Sequence, residues 1–251
     1  MFVKWDADTY VKDFSFVPDY GREVLELLDV APASRVLDLG CGDGSLTAAL
    51  IEAGYAASGL DASEELLAVA RVAHPGVSFT HGDATSFAVP QPVDAVFSNA
   101  VLHWIPWDKQ EAVVRCVHRA LREGGQFVFE CGGAGNNALI HGALARAFDH
   151  RGLSYTMPFC FPSLDAYASL LEENGFAVTF ATLFDRPTPL AGAQGMRDWI
   201  TMFVQQPFEG IDDKTAREIV AEAVEELRPD LCCNGCWTAD YVRLRMKAHK
   251  V

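Results

Sequence analysis

The chain has 251 residues, half of them apolar, which is enough for one sizeable core. Its formal charge of −14, from 34 acidic against 20 basic residues, repels a phosphate backbone and an anionic membrane surface alike, so neither nucleic acid nor membrane is expected as a partner. Met1–Asp8 lacks the apolar centre of a leader and no apolar run approaches bilayer length, so a cytoplasmic location is expected; seven irregularly spaced cysteines read as reduced thiols.

Residues 1–19 form an aromatic-rich arm containing Trp5, Tyr10, Phe14 and Phe16, suited to covering a bound molecule. Tyr20–Val30 reads as an amphipathic helix that ends before Pro32. From residue 35 to 131, apolar runs of strand length alternate with helix-period segments, the pattern of βαβ units in a doubly wound α/β sheet. Strands are predicted at Arg35–Leu39, Ala56–Leu60, Val77–Thr80, Val93–Ser98 and Gln126–Cys131, with helices at Ser45–Ala53, Ser63–Ala73 and Asp108–Arg122. Further on, a helix at Ser163–Asn174 is opened by a serine cap and closed by Gly175, and a strand follows at Phe176–Phe184. A mostly helical cap, clearest at Thr215–Leu227, spans roughly Thr188–Asn234 before a last strand at Trp237–Ala248.

The chemistry concentrates where predicted strands end. Val36-Leu37-Asp38-Leu39-Gly40-Cys41-Gly42-Asp43-Gly44 runs from a strand into a glycine-rich turn and then a helix, and glycines there let the backbone approach a ligand. Asp61 closes the second strand 19 residues after Gly42, where a carboxylate can accept bonds from both hydroxyls of a ribose. A dinucleotide fingerprint requires glycine at position 45, but Ser45 stands there, and Asp38 suits a ligand with a positive amino group better than a pyrophosphate. Asp83, in His81-Gly82-Asp83-Ala84, is placed to accept from an exocyclic amine such as that of adenine. Ser98–Trp104 ends the fourth strand facing the same crevice and contributes Asn99, Ala100 and His103.

With these segments together, the chain resembles the class I S-adenosylmethionine-dependent methyltransferases, in the group that includes trans-aconitate methyltransferases and related small-molecule enzymes. Val36–Gly44, Asp61-Ala62, Asp83-Ala84, Asn99–Trp104 and Leu121–Glu130 carry the resemblance, joined by Asp6–Tyr20 and Trp237–Arg245. It implies one domain: an N-terminal arm and helix (1–30), a cofactor core (31–133), and a substrate side with the cap and the last two strands (134–251). It implies seven strands in the order 3-2-1-4-5-7-6, the last antiparallel. It also implies S-adenosyl-L-methionine as cofactor and S-adenosyl-L-homocysteine as product. Gly40 and Gly42 would hold the methionine part, Asp61 with Ala62 the ribose, and Asp83 with Ala84 the adenine. Tyr10, Phe16, Asp38, Asn99, Ala100 and His103 complete the expected cofactor site.

Methyl transfer from a sulfonium is an in-line displacement in which the protein aligns the reactants and excludes water, so no metal is required. The expected acceptor is an O, S or N atom of a small molecule. His103 is the candidate base, with orientation of the cofactor as its alternative role; relatives that methylate carboxylic acids often carry glutamine there. Arg151 and Arg186 are candidate anchors for an anionic acceptor. In Cys232-Cys233-Asn234-Gly235-Cys236, Cys233 and Cys236 form a C-x-x-C, half of a metal motif, and the cysteines are read as structural, with a thiol-bound metalloid substrate as the sharper variant. A nicotinamide-dependent oxidoreductase and a catalytically silent cofactor-binding protein are the alternative functions.

Overall fold

The computed structural model describes residues 16–251, with side chains described from Gly21 onward. Its strands are β1 Arg35–Leu39, β2 Ala56–Asp61, β3 Phe79–His81, β4 Val93–Asn99, β5 Leu121–Gly132, β6 Phe176–Leu190, β7 Cys232–Cys233 and β8 Cys236–Lys250. The α-helices are α1 Phe16–Leu25, α2 Ser45–Glu52, α3 Glu64–Ala73, α4 Trp107–Ala120, α5 Ala138–Asp149, α6 Leu164–Glu173, α7 Gly195–Phe203 and α8 Asp213–Leu231. The strands form one sheet in the order β3-β2-β1-β4-β5-β8-β6, and the two-residue β7 pairs only with β8. Setting β7 aside, β8 is the seventh strand and the order is the expected 3-2-1-4-5-7-6. β1 to β5 pair in parallel, and β8 runs antiparallel to both β5 and β6.

Period-2 alternation along the central strands divides the core. Ala95, Phe97 and Val128 pack with Val24 of α1, with Leu28 just after it, and with Leu46 and Leu50 of α2. Val96, Phe127 and Phe129 point the other way, onto Val113, Val114 and Val117 of α4 and Tyr167 and Leu171 of α6. A separate cluster joins α5, α7 and α8 to the start of β8 through Phe148, Trp199, Ile219, Leu227, Trp237 and Tyr241. This cap stands beyond the ends of β4 and β5 that carry the candidate site.

Several boundaries differ from the sequence reading: β5 starts at Leu121 rather than Gln126, α4 ends at Ala120 rather than Arg122, and β3 runs Phe79–His81 rather than Val77–Thr80. The first helix starts at Phe16 rather than Tyr20 and ends at Leu25. β6 continues past Phe184 to Leu190 although it contains Pro187 and Pro189. At alternate positions, their missing N–H groups fall on one side of the strand, and an edge strand has one side without a partner. α5 was not predicted as a helix. Its first residue follows Asn137, which is left-handed at φ 53° and makes no side-chain cap bond; instead the Asp240 carboxylate on β8 accepts from Leu139 N–H at 2.8 Å. A cap supplied from 101 residues away leaves no local start signal.

Candidate active site

The chain runs outward from β1 through β2 to β3 and then crosses back to β4 on the other side of β1, so a crevice opens between the ends of β1 and β4. Ser98 Oγ donates to the Leu39 carbonyl at 2.8 Å and ties these two strand ends together. Gly40, Gly42 and Gly44 all hold positive φ (78°, 54° and 81°). A Cβ on Gly40 would lie 2.2 Å from Val101 Cγ2, so the turn after β1 packs against the segment after β4 with no room for a side chain.

Asp61 organises the turn. Its Oδ2 accepts from Gly42 N–H at 2.8 Å and its Oδ1 from Ser63 N–H at 2.7 Å. Each oxygen keeps a second lone pair for a further donor. Burial raises the Asp61 pKa, and the Ser63, Gly42 and Ala62 amides oppose that rise. The Ala62 carbonyl lies 3.1 Å from His81 Nε2. Asp38, only 1% exposed, accepts from Thr47 Oγ1 of α2 at 2.6 Å. Burial, with the charges of Asp61 and Asp43, pushes its pKa up to about 7.

Asp83 is exposed in the turn after β3, where Oδ1 accepts from both Thr85 N–H and Thr85 Oγ1 at 2.7 Å. The Thr85 amide chiefly holds its pKa below the ordinary carboxylate value. Ala84 packs against the core beside it. At the end of β4, Asn99 is buried, and Ala100 takes a left-handed φ of 59° while its N–H bonds the Glu130 carbonyl at 2.8 Å. A left-handed alanine costs about 1–2 kcal/mol, strain of the kind concentrated at functional turns. A Cβ on Gly21 of α1 would lie 3.0 Å from Asn99 Nδ2, so the N-terminal helix runs directly against this strand end. Tyr10 and the side chain of Phe16 lie outside the described residues.

His103 is buried at the crevice wall. Its Nδ1 accepts from Gly132 N–H of β5 at 3.1 Å, and its carbonyl accepts from Cys160 N–H at 2.8 Å. Burial and the Arg243 charge hold the ring well below the usual imidazole range. A neutral ring with Nδ1 accepting carries its hydrogen on Nε2 and is a donor there. The stacked pair Phe159 and Phe161 has ring centroids 5.4 Å apart, and each lies 6.0 Å from the His103 ring. On their far side His141 sits 5.5 Å from Phe159 and 6.0 Å from Phe161.

The two arginines expected to anchor an anion are otherwise engaged. Arg151 pairs with Glu222 at 2.6 Å and donates to the Ala147 carbonyl. Arg186 bonds the buried Glu130 at 2.8 Å and Glu23 at 2.9 Å, while Arg245 takes the other Glu130 oxygen at 2.7 Å. Arg186 is thus part of a structural ion-pair cluster with Glu130 and Glu23. Arg243, His141, Phe159 and Phe161 were not identified from the sequence. The available signal was on β8, where Trp237, Ala239, Tyr241, Arg243, Arg245 and Lys247 share one face and change from apolar to basic midway.

Cys233 and Cys236 face each other across the Asn234-Gly235 turn of a short hairpin, both exposed, and all seven cysteines are free. Among the described residues no group of three or more His, Cys, Asp or Glu is arranged to hold a metal ion, and no helix is long and apolar enough to cross a membrane.

Comparison with known proteins gives this geometry a context. Residues 36–125 match the family model described as "Methyltransferase domain". An uncharacterized methyltransferase of Schizosaccharomyces pombe is 33% identical over 258 residues, covering 98% of both chains. A trans-aconitate 2-methyltransferase of Mycobacterium tuberculosis is 31% identical over 234 residues, covering 88% of this chain and 86% of that one. Among solved structures, an S-adenosylmethionine-dependent methyltransferase from Mesorhizobium loti shares the fold at TM-score 0.54 and 22% identity, covering 91% of this chain and 96% of that chain. A Haemonchus contortus phosphoethanolamine N-methyltransferase, solved with S-adenosylhomocysteine, gives TM-score 0.58 at 18% identity, covering 92% of this chain and 52% of its own. The chain belongs to the S-adenosylmethionine-dependent methyltransferases.

Proposed function

We propose that this methyltransferase methylates a carboxylate oxygen of a small molecule, and that His103 positions the reactants without acting as a base. The observation that carries this is the bond from Gly132 N–H to His103 Nδ1. A general base needs a free lone pair facing the acceptor. Here one ring nitrogen is filled by a backbone N–H, the other carries the ring hydrogen, and burial opposes the imidazolium that proton uptake would create. An acceptor that must lose a proton, such as a phenol near pKa 10, is poorly served by this site. A carboxylate, near pKa 4, arrives ionised and needs no base. The names of the trans-aconitate relatives support the same acceptor chemistry.

The cofactor residues follow from the same crevice. Asp61 has one lone pair left on each oxygen for the two ribose hydroxyls, with the Ala62 backbone beside it, and the side-chain-free turn at Gly40 and Gly42 admits the methionine part. Asp83 and Ala84 sit one strand further along the same edge, for the adenine. Asn99 and Ala100 line the switch point. Tyr10 precedes α1 in sequence and Phe16 is its first residue; because α1 meets Asn99, both are assigned to covering the crevice. Asp38 acts from beneath, holding α2 through Thr47 and supplying negative charge below the loop. When bound, S-adenosylmethionine supplies an electrophilic methyl on a sulfonium; the chain's part is to hold the acceptor oxygen in line with it and keep water out. His103 Nε2–H donates to the acceptor or cofactor, and Trp104 and Phe159, in edge contact at 4.7 Å, close the wall.

The test is transfer of labelled methyl to carboxylic acids, phenols, thiols and amines between pH 6 and 9. Label on a carboxylate at a rate flat across this range is the expected result. His103→Gln should then cost less than about 10-fold in kcat, whereas loss of a true base costs about 10²–10⁴-fold. A rate on a phenol or thiol that rises with pH and collapses in His103→Gln would overturn the reading.

A further inference from the structure

Among the described residues, the arginines on this side of the sheet outnumber the carboxylates that pair with them. Arg186, Arg243 and Arg245 lie close together, Arg186 and Arg243 facing each other through neighbouring positions of β6 and β8, and the charges of Arg245 and Arg243 both bear on Arg186. Two carboxylates, Glu130 and Glu23, serve Arg186 and Arg245. Arg243 is only 8% exposed, and among the described residues no carboxylate or hydrogen-bond acceptor is recorded for its guanidinium. Its recorded contact is with the Tyr241 ring, 4.3 Å below it, which offsets only part of the cost of burying a charge. The platform is rigid, because the Tyr241 hydroxyl accepts from Trp199 Nε1 of α7 at 2.6 Å.

The position of Arg243 points to a ligand. Its partner in the β5–β8 register is Gly132, the residue whose N–H holds His103, so the guanidinium sits beside the reaction wall. A Cβ on Gly132 would lie 2.6 Å from Phe161, so Phe161 closes over this point and links it to His141. His141 is buried, its Nδ1 lies 2.6 Å from the Tyr155 hydroxyl, and its Nε2 has no partner among the described residues. With Tyr155 donating to Nδ1, the ring presents an Nε2–H. Among the described residues, the surroundings of Gly132 and Phe161 thus include a guanidinium with no carboxylate partner, whose charge reaches His103, and an imidazole nitrogen with no partner.

We propose that Arg243, assisted by His141, forms a subsite for a second, non-reacting carboxylate of the acceptor, making the enzyme selective for molecules with more than one carboxylate. The planar guanidinium fork matches a carboxylate, and that bond positions the reacting oxygen at the other end of the molecule beside His103. The subsite also explains how a chain of charge −14 admits an anion at all. This inference rests on the carboxylate reading above, but binding tests it separately from turnover.

The experiment is calorimetric titration of the S-adenosylhomocysteine-loaded protein with trans-aconitate, with the monocarboxylate crotonate, and with the neutral trimethyl ester of trans-aconitate. Wild type should bind the tricarboxylate more tightly than crotonate and leave the ester unbound. Arg243→Met should weaken tricarboxylate binding by about 10- to 100-fold, in line with loss of hydrogen bonds to a charged group, and Arg243→Lys by less. Affinity for S-adenosylhomocysteine should stay within about 2-fold, which also shows that the variants are folded. His141→Phe, a second variant independent of the arginine, should weaken the tricarboxylate alone. Equal binding by Arg243→Met and wild type, ester binding as tight as the acid, or no carboxylate binding to wild type would each overturn the proposal. Methyl transfer only to a non-carboxylate atom, with tricarboxylate binding still lost in Arg243→Met, would sink the proposed reaction and leave the subsite standing.

Discussion

Replacing Asp38 by asparagine should reverse its effect on stability between acid and alkaline pH. The carboxyl is buried beneath the glycine turn with Thr47 Oγ1 as its recorded side-chain donor, and its pKa is pushed from 3.8 to about 7. The native state therefore binds one more proton than the unfolded chain between these values, and stability falls as pH rises through that window. A shift of about three units corresponds to about 4 kcal/mol, fully developed above the folded pKa and absent below the unfolded one. The substituted amide still accepts from Thr47 through its oxygen but buries an NH₂ group, at a cost of about 1–3 kcal/mol at any pH. Asp38→Asn should accordingly stabilise the cofactor-free protein by about 1–3 kcal/mol at pH 8 and destabilise it by a similar amount near pH 4. Urea unfolding of both proteins across this range gives the difference curve. A difference that does not change with pH would refute the argument, because it would mean that Asp38 titrates alike in both states. A cation bound beside the loop draws the proton from Asp38, so S-adenosylmethionine affinity should also rise with pH through 7 in wild type and stay flat in the variant.

Two further predictions rest on single groups. Asp61→Ala should weaken S-adenosylhomocysteine binding by about 1.5–3 kcal/mol, the range for bonds to a charged acceptor, and free the Gly42 and Ser63 amides, which faster amide exchange at these two residues would register; unchanged affinity would remove the ribose assignment. Glu130→Gln strips the charge shared by the buried Arg186 and the partly buried Arg245, so denaturant unfolding should show a loss of about 3–5 kcal/mol, and a loss below about 1 kcal/mol would mean that solvent reaches the cluster.

The sheet was legible in the sequence because each central strand is a short apolar run bounded by local punctuation. Val36–Gly44, Asp61, Asp83 and Asn99 each stand where a strand stops, and in a doubly wound sheet that position alone sends them to one edge. Fold class and the grouping of these residues follow from features a few residues long, and the strand order from the family resemblance those features carry. What stayed hidden depends on partners distant in sequence. The α5 helix begins on a carboxylate from β8, and β6 keeps its prolines only because it lies at the sheet edge. A histidine after a strand is a reasonable base until Gly132, 29 residues on, fills its lone pair. Arg186 is as basic in sequence as Arg243, and only folding gives one of them Glu130 and Glu23 and leaves the other with a tyrosine ring. The sequence by itself determined which backbone turns gather at one edge of the sheet, since those depend on local conformation; tertiary structure decided the protonation and pairing of the side chains around them, since burial and charge act through space.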